Sequence, residues 1–239
     1  MVRTMLLYSK ASTVTGRALS AALGIPGRRV PKSDDLVSIR WGSSAECPEV
    51  TNVINKREAV ANTSNSKTML TMLHTAGVPS PEIVVGDVDF RVFLRRINHI
   101  GGRDIVSVDG GNIEGLLEEK NRSYAVRFIP AKYEYRIHVI LGDVVRKFLK
   151  VGGENSDIKS SYFGWEYQLL ERTTINVACE LSIKAVAALG LDFGGVDVIK
   201  TLDERYIVLE VNSAPALNTN TLAVYAERLG KCLLDRKTS

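Results

Sequence analysis

Cysteine is scarce in this 239-residue chain: Cys47, Cys179 and Cys232 are too few and too scattered for a disulfide framework or a zinc set. Cys179 and Cys232 fall in helical patterns and read as small buried hydrophobes, which fits a reduced, cytoplasmic protein. Long apolar runs are missing, so no segment is expected to span a bilayer. The start, Met1 to Tyr8, lacks the long apolar core and small-residue cleavage site of a signal peptide and reads as a first strand. Internal repeats and low-complexity tracts are absent. With 45% apolar and 24% charged residues, the composition excludes disordered, collagenous and membrane classes.

Charge of one sign is also in short supply. The net charge is +4, and all of it lies in residues 1–60, which hold nine Lys/Arg and five Asp/Glu. Residues 61–239 hold 22 of each. So small an excess reads as a solvated face, and no RNP, zinc or helix-turn-helix pattern accompanies it. Nucleic acid is therefore not an expected partner, and neither is a membrane.

What is present is a mixed pattern. Leu6-Leu7-Tyr8, a helix over 16–23 stopped at Gly24, and a strand over 36–42 make a βαβ start. Met69, Met72, Leu73 and Ala76 form one helical stripe, which Ser64 or Asn65 can cap and Gly77 and Pro79 end. Strands follow at 82–85, 91–95 and 123–129, with a Gly-rich segment between 98 and 115. The amphipathic patterns over 175–189 and from Leu222 to Leu233 predict two further helices. Helices mixed with antiparallel hairpins predict an α+β fold after a small α/β start.

The most informative segment runs from Gly194 to Asn212. Strand alternation puts Glu210 and Asn212 on one face. A two-residue turn at Asp203-Glu204 would set Asp197 opposite Glu210. Two carboxylates side by side on an apolar strand repel and are costly to desolvate. A divalent cation resolves both problems. Hard oxygen donors suit Mg²⁺, which shares its coordination shell with water and phosphate.

A second hairpin alternates Tyr135, Ile137, Val139 and Leu141 against Glu134, Arg136 and His138. A turn at Gly142-Asp143 would pair Arg136 with Leu149 and put Lys147 on Arg136's face; a bulge would put Lys150 there instead.

The run Leu191-Asp192-Phe193-Gly194-Gly195-Val196-Asp197, followed by Leu209-Glu210-Val211-Asn212-Ser213-Ala214-Pro215, resembles the C-terminal signature of ATP-grasp enzymes. Looser matches fall in family order: Asn65-Ser66-Lys67, Arg95, Phe128-Ile129, the Glu134–Val139 strand and Thr221 to Ala226. The similarity covers residues 51–235. It looks closest to the glutamate-ligase-like branch, especially ATP-grasp proteins carried by bacteriophages.

The resemblance implies two α+β lobes clamping ATP, behind a shortened α/β N-terminal domain. It divides the chain at 1–62, 63–122 (N-lobe with a Gly-rich lid) and 123–239 (C-lobe with the metal site). It implies a carboxylate–amine ligase that forms an acyl phosphate and releases ADP and phosphate. Its substrates would be small-molecule or peptide carboxylates and amines. Its cofactors would be ATP and Mg²⁺, or Mn²⁺. Asp197, Glu210 and Asn212 match the metal ligands, and Arg136 matches the arginine at the acyl phosphate. Lys150 matches the basic residue near the γ-phosphate, with Lys147 as its rival. Glu134 matches the ribose-binding acid; Arg127, Phe128 and Ile129 match the hinge at adenine. Lys67 and Arg95 match the cations near the phosphates, although lysine is the commoner residue at position 95. Gly101 and Gly102 occupy the lid position. The shortened N-terminal part implies a small acceptor, or an acceptor site completed by a second subunit or another protein. The competing expectation is an ATP-binding module without ligase activity, acting in regulation or interaction.

Overall fold

The computed structural model describes residues 3–97, 104–154, 157–159, 161–171 and 174–235. The βαβ start is a parallel sheet. Its elements are β1 (Arg3–Tyr8), α1 (Thr13–Ala22), β2 (Gly27–Arg28), β3 (Asp35–Trp41) and β4 (Glu49–Ile54), in the order β2-β1-β3-β4. The strands β2 and β4 lack a clear alternation and escape a reading by periodicity.

Two helices follow, α2 (Arg57–Ser64) and α3 (Ser66–Thr75). Asn65 caps α3, its side chain accepting from the Thr68 amide at 3.1 Å. Gly77, at φ 65°, ends the helix as its amide donates to His74 O and that of Val78 to Leu73 O.

The second sheet is antiparallel, built from β5 (Ile83–Val84), β7 (Val92–Arg95), β8 (Val106–Val108) and β10 (Tyr124–Arg127) in the order β5-β10-β7-β8. A small ladder of β6 (Asp87–Val88) with β9 (Gly111–Asn112) and the helix α4 (Ile113–Glu119) flank it.

The third sheet orders β13-β12-β11-β14-β15, from β11 (Ala131–Ile140), β12 (Asp143–Gly152), β13 (Trp165–Leu169), β14 (Phe193–Thr201) and β15 (Tyr206–Asn212). Helices α5 (Asn176–Ala188) and α6 (Thr219–Asp235) complete the chain. Among the described residues, no helix is long and apolar enough to cross a membrane.

Two cores tie these layers together. In the first, Met69, Leu70 and Leu73 of α3 and Ala178, Ala185 and Val186 of α5 pack on the Ile137, Val139, Val196 and Val198 face of the third sheet. Each of the Met, Leu, Ile and Val side chains among them, fully buried, contributes about 1.5–3 kcal/mol relative to exposure. The second core joins the two ends of the chain. Trp41 stacks on Phe193 at 5.1 Å and meets Tyr225 of α6 edge-on at 5.5 Å. Sixty residues are few for an independent core, and the N-terminal sheet shares one with β14 and α6.

Candidate functional site

The β14–β15 hairpin does bring Asp197 opposite Glu210, by a different route from the one expected. Its turn holds three residues, Leu202 to Glu204, not two. Glu204 is left-handed at φ 64°, and the Thr201 amide donates to Arg205 O at 2.9 Å. That turn pairs Lys200 with Tyr206 and Val198 with Val208, one residue off the expected register. A bulge at Leu209 then restores it, so Asp197 faces Glu210 and Gly195 faces Asn212. The bulge turns Leu209 into the same cavity that Glu210 and Asn212 line. Gly195 leaves space there: a Cβ on it would lie 2.7 Å from Pro215 Cβ and 3.4 Å from Arg136 Cδ.

The β11–β12 hairpin corrects the expected turn at Gly142-Asp143. The turn residues are Leu141 and Gly142, both left-handed at φ 53° and 85°. Leu141 therefore leaves the apolar face of β11. A register shift between His138 and Val139 follows, pairing Arg136 with Phe148 rather than Leu149. This is the bulge that puts Lys150, not Lys147, on the face of Glu134 and Arg136.

These two hairpins build a buried charge cluster. Arg136 forks onto Asp197, Nε donating to Oδ1 at 2.5 Å and Nη2 to Oδ2 at 2.8 Å. Lys150 contacts Glu134, lies 3.8 Å from Asp197 Oδ2, and donates to Lys159 O at 2.8 Å. Burial alone would raise the Asp197 carboxyl; Arg136 and Lys150 overcome that and hold it below the usual carboxylate range. Burial raises Glu134 despite Lys150. Burial would lower Lys150, but Asp197 and Glu134 outweigh it and keep the ammonium charged. Next along β11, His138 is pushed down to about 3 by burial and by Arg136, and its Nδ1 hydrogen-bonds the Tyr225 hydroxyl at 3.0 Å.

The cluster corrects one expectation: burying Asp197 requires no metal, because Arg136 and Lys150 already meet its charge. Glu210 and Asn212 differ. Neither side chain makes a hydrogen bond or ion pair among the described residues, and both line the cavity with Asp197. Among the described residues no group of three His, Cys, Asp or Glu could hold a metal. The donor set is instead two carboxylates and an amide. Those hard oxygens fit Mg²⁺, which takes its remaining ligands from phosphate and water.

The cavity has a volume of about 600 Å³ and a lining of two chemical kinds. Phe93, Val126, Phe128, Ile129, Ile199 and Leu209 are apolar; Arg136, Lys150, Asp197, Glu210 and Asn212 are charged or polar. Glu134, Arg95 and Arg127 also line it. Arg95 is buried, with its guanidinium 6.0 Å from the Tyr124 ring centroid. Arg127 lies over Phe90, and Phe128 is held between Arg91 at 4.5 Å and Phe93 at 5.0 Å. Lys67 is not brought in: it is exposed on the first turn of α3, outside the cavity lining. Gly101 and Gly102 lie outside the described residues. Asp157, Lys159 and Tyr167 line the cavity without having been singled out by sequence. The alternation of Trp165, Tyr167 and Leu169 after Gly164 was the available signal for Tyr167.

Sheets and helices clamped around a cleft of this kind define the ATP-grasp fold. The D-cycloserine synthetase DcsG superposes at a TM-score of 0.65, with 16% identity, 96% of this chain covered and 99% of that one. The ATP-grasp ligase PsnB, complexed with minimal precursor, Mg and ADP, superposes at 0.60, with 13% identity and coverage of 97% and 96%. Residues 113–227 match the RimK-like ATP-grasp domain. The chain is 30% identical over 187 residues to the tetrahydromethanopterin:alpha-L-glutamate ligase of Methanocaldococcus jannaschii, covering 69% of this chain and 62% of that protein. It spans about three fifths of the length of the curated relatives it matches.

Proposed function

We propose that this chain is an ATP- and Mg²⁺-dependent carboxylate–amine ligase of the glutamate-ligase-like branch. The observation that carries the reading is the convergence of Asp197, Glu210 and Asn212 with Arg136 and Lys150 on the lining of one cavity. The apolar lining residues Phe128 and Ile129 suit adenine, and Glu134 suits the ribose hydroxyls. Glu210 and Asn212, with Asp197, would hold Mg²⁺ or Mn²⁺. The ion supplies charge neutralisation of the phosphates during transfer. Arg136, held by Asp197 through Nε and Nη2, supplies its charge and its remaining N–H groups to the phosphorylated carboxylate and its tetrahedral adduct. Lys150 stays charged and meets the γ-phosphate, with Arg95 nearby. An amine then displaces phosphate from the acyl carbon, leaving an amide, ADP and phosphate.

Residues 1–62 serve as the acceptor-side domain, 63–122 as the N-lobe and 123–239 as the C-lobe. Lys67 reaches the phosphates only if α3 shifts toward the cleft on nucleotide binding. A cytoplasmic setting and affinity to phage-carried members belong to the same reading. The test is a screen of amino acids and short peptides for acceptor-dependent ADP release. Release that needs both a carboxylate and an amine supports the ligase. Tight ATP binding without release from any pair supports a nucleotide-binding module instead.

A further inference from the structure

Tyr167 has no part in the reading above, yet its ring meets both cations that the reading depends on. It stands directly across β12–β13 from Lys150. The ring centroid lies 5.3 Å from the guanidinium carbon of Arg136 and 5.6 Å from Lys150 Nζ. Phe148, the cross-strand partner of Arg136, meets the same ring edge-on at 6.1 Å. Two like charges beside one another repel, and Asp197 draws both from the side away from β13. An aromatic face attracts cations through its quadrupole, and an aliphatic side chain of the same bulk does not. A tyrosine hydroxyl is neutral near pH 7, so the cations meet a ring face and not a phenolate.

We propose that Tyr167 is a positioning residue whose ring holds Arg136 and Lys150 side by side, so that together they meet the terminal phosphate of a nucleoside triphosphate. The proposal rests on the ligase reading for the identity of that phosphate. Neither cation is placed by its own strand alone, because both side chains are long and flexible. The ring limits where their charged ends can go, and Asp197 and Glu134 limit them from the opposite side.

The test titrates the full chain, as wild type, Y167F and Y167L, with a non-hydrolysable ATP analogue and with ADP, each with Mg²⁺. Loss of the ring in Y167L lowers affinity for the analogue about tenfold and leaves ADP within about twofold. Y167F keeps the ring and retains the wild-type preference for the analogue. The proposal is overturned if Y167L binds the analogue as wild type does, if Y167F is as weak as Y167L, or if both nucleotides weaken equally. A wild type without preference for the analogue overturns it too. Should thermal melting show Y167L to be unfolded, Y167M carries the same comparison. ADP release is scored separately: a wild type that prefers the analogue but turns nothing over rejects the ligase reading, and the titrations still decide the role of Tyr167.

Discussion

Arg136 grips Asp197 with two parallel hydrogen bonds of 2.5 and 2.8 Å across β11 and β14. Both side chains are buried, at 11% and 9% exposure. Removing one partner strands the other in a low-dielectric site. Arg136→Met is expected to cost about 3 kcal/mol in urea unfolding, and Asp197→Asn a similar amount. The double variant should cost less than the sum. Asp197 has a depressed folded value, so its contribution is present above its ordinary value of 3.8 and is lost as pH falls through the folded one. The stability gap between wild type and Asp197→Asn should therefore narrow toward pH 2. A gap that stays flat from pH 5 to 2 contradicts the assignment.

His138 gives the opposite case of a base kept neutral. Its folded value of about 3 lies below its ordinary 6.5, so the unfolded chain binds the extra proton between them. Stability linked to His138 is present above 6.5 and is lost as pH falls toward 3. Tyr225 and Phe148 face it, and of the charged groups around it Asp197 pulls the value up but is outweighed by burial and by Arg136. In NMR titration the His138 imidazole should remain neutral down to about pH 4. An inflection near 6.5 would show that the burial is wrong.

Asn55 fastens the N-terminal sheet to β14. It is buried and left-handed at φ 58°. Its amide donates to Asp192 Oδ2 at 2.6 Å, and its Oδ1 accepts from the Asp192 amide at 2.7 Å and from that of Phe193 at 3.2 Å. Asn55→Ala loses the side-chain bonds and puts a Cβ-bearing residue without local compensation in the left-handed region. About 3 kcal/mol of destabilisation is expected. Asn55→Gly, free of the backbone strain, should be less destabilised by about 1 kcal/mol. Equal losses in both would remove the backbone part of this account.

Glu210 makes no hydrogen bond or ion pair among the described residues, so the fold does not depend on its charge. Glu210→Ala is expected to abolish ADP formation while far-UV circular dichroism and the melting temperature stay at wild-type values. Wild-type turnover in that variant would exclude Glu210 from the metal site.

Side-chain alternation made much of this site legible, because face assignment in a strand depends only on parity. Glu134, Arg136 and His138 share a face for that reason, as do Glu210 and Asn212. The register between strands was less legible. The expected pairing of Asp197 with Glu210 survives only because a three-residue turn and the bulge at Leu209 offset each other. The competition between Lys147 and Lys150 could not be decided beforehand, because it turns on the register shift between His138 and Val139. A bulge of that kind leaves no mark in the alternation of the strand that carries it. Tyr167 was missed because β13 is exposed on most of its residues and carries little apolar signal.

The most direct test of the central claim is anomalous diffraction from Mn²⁺ in crystals grown with a non-hydrolysable ATP analogue. The account predicts a metal peak bounded by Asp197, Glu210 and Asn212, against the phosphate chain. A bound nucleotide with no peak there, and those three side chains turned away from its phosphates, would contradict it.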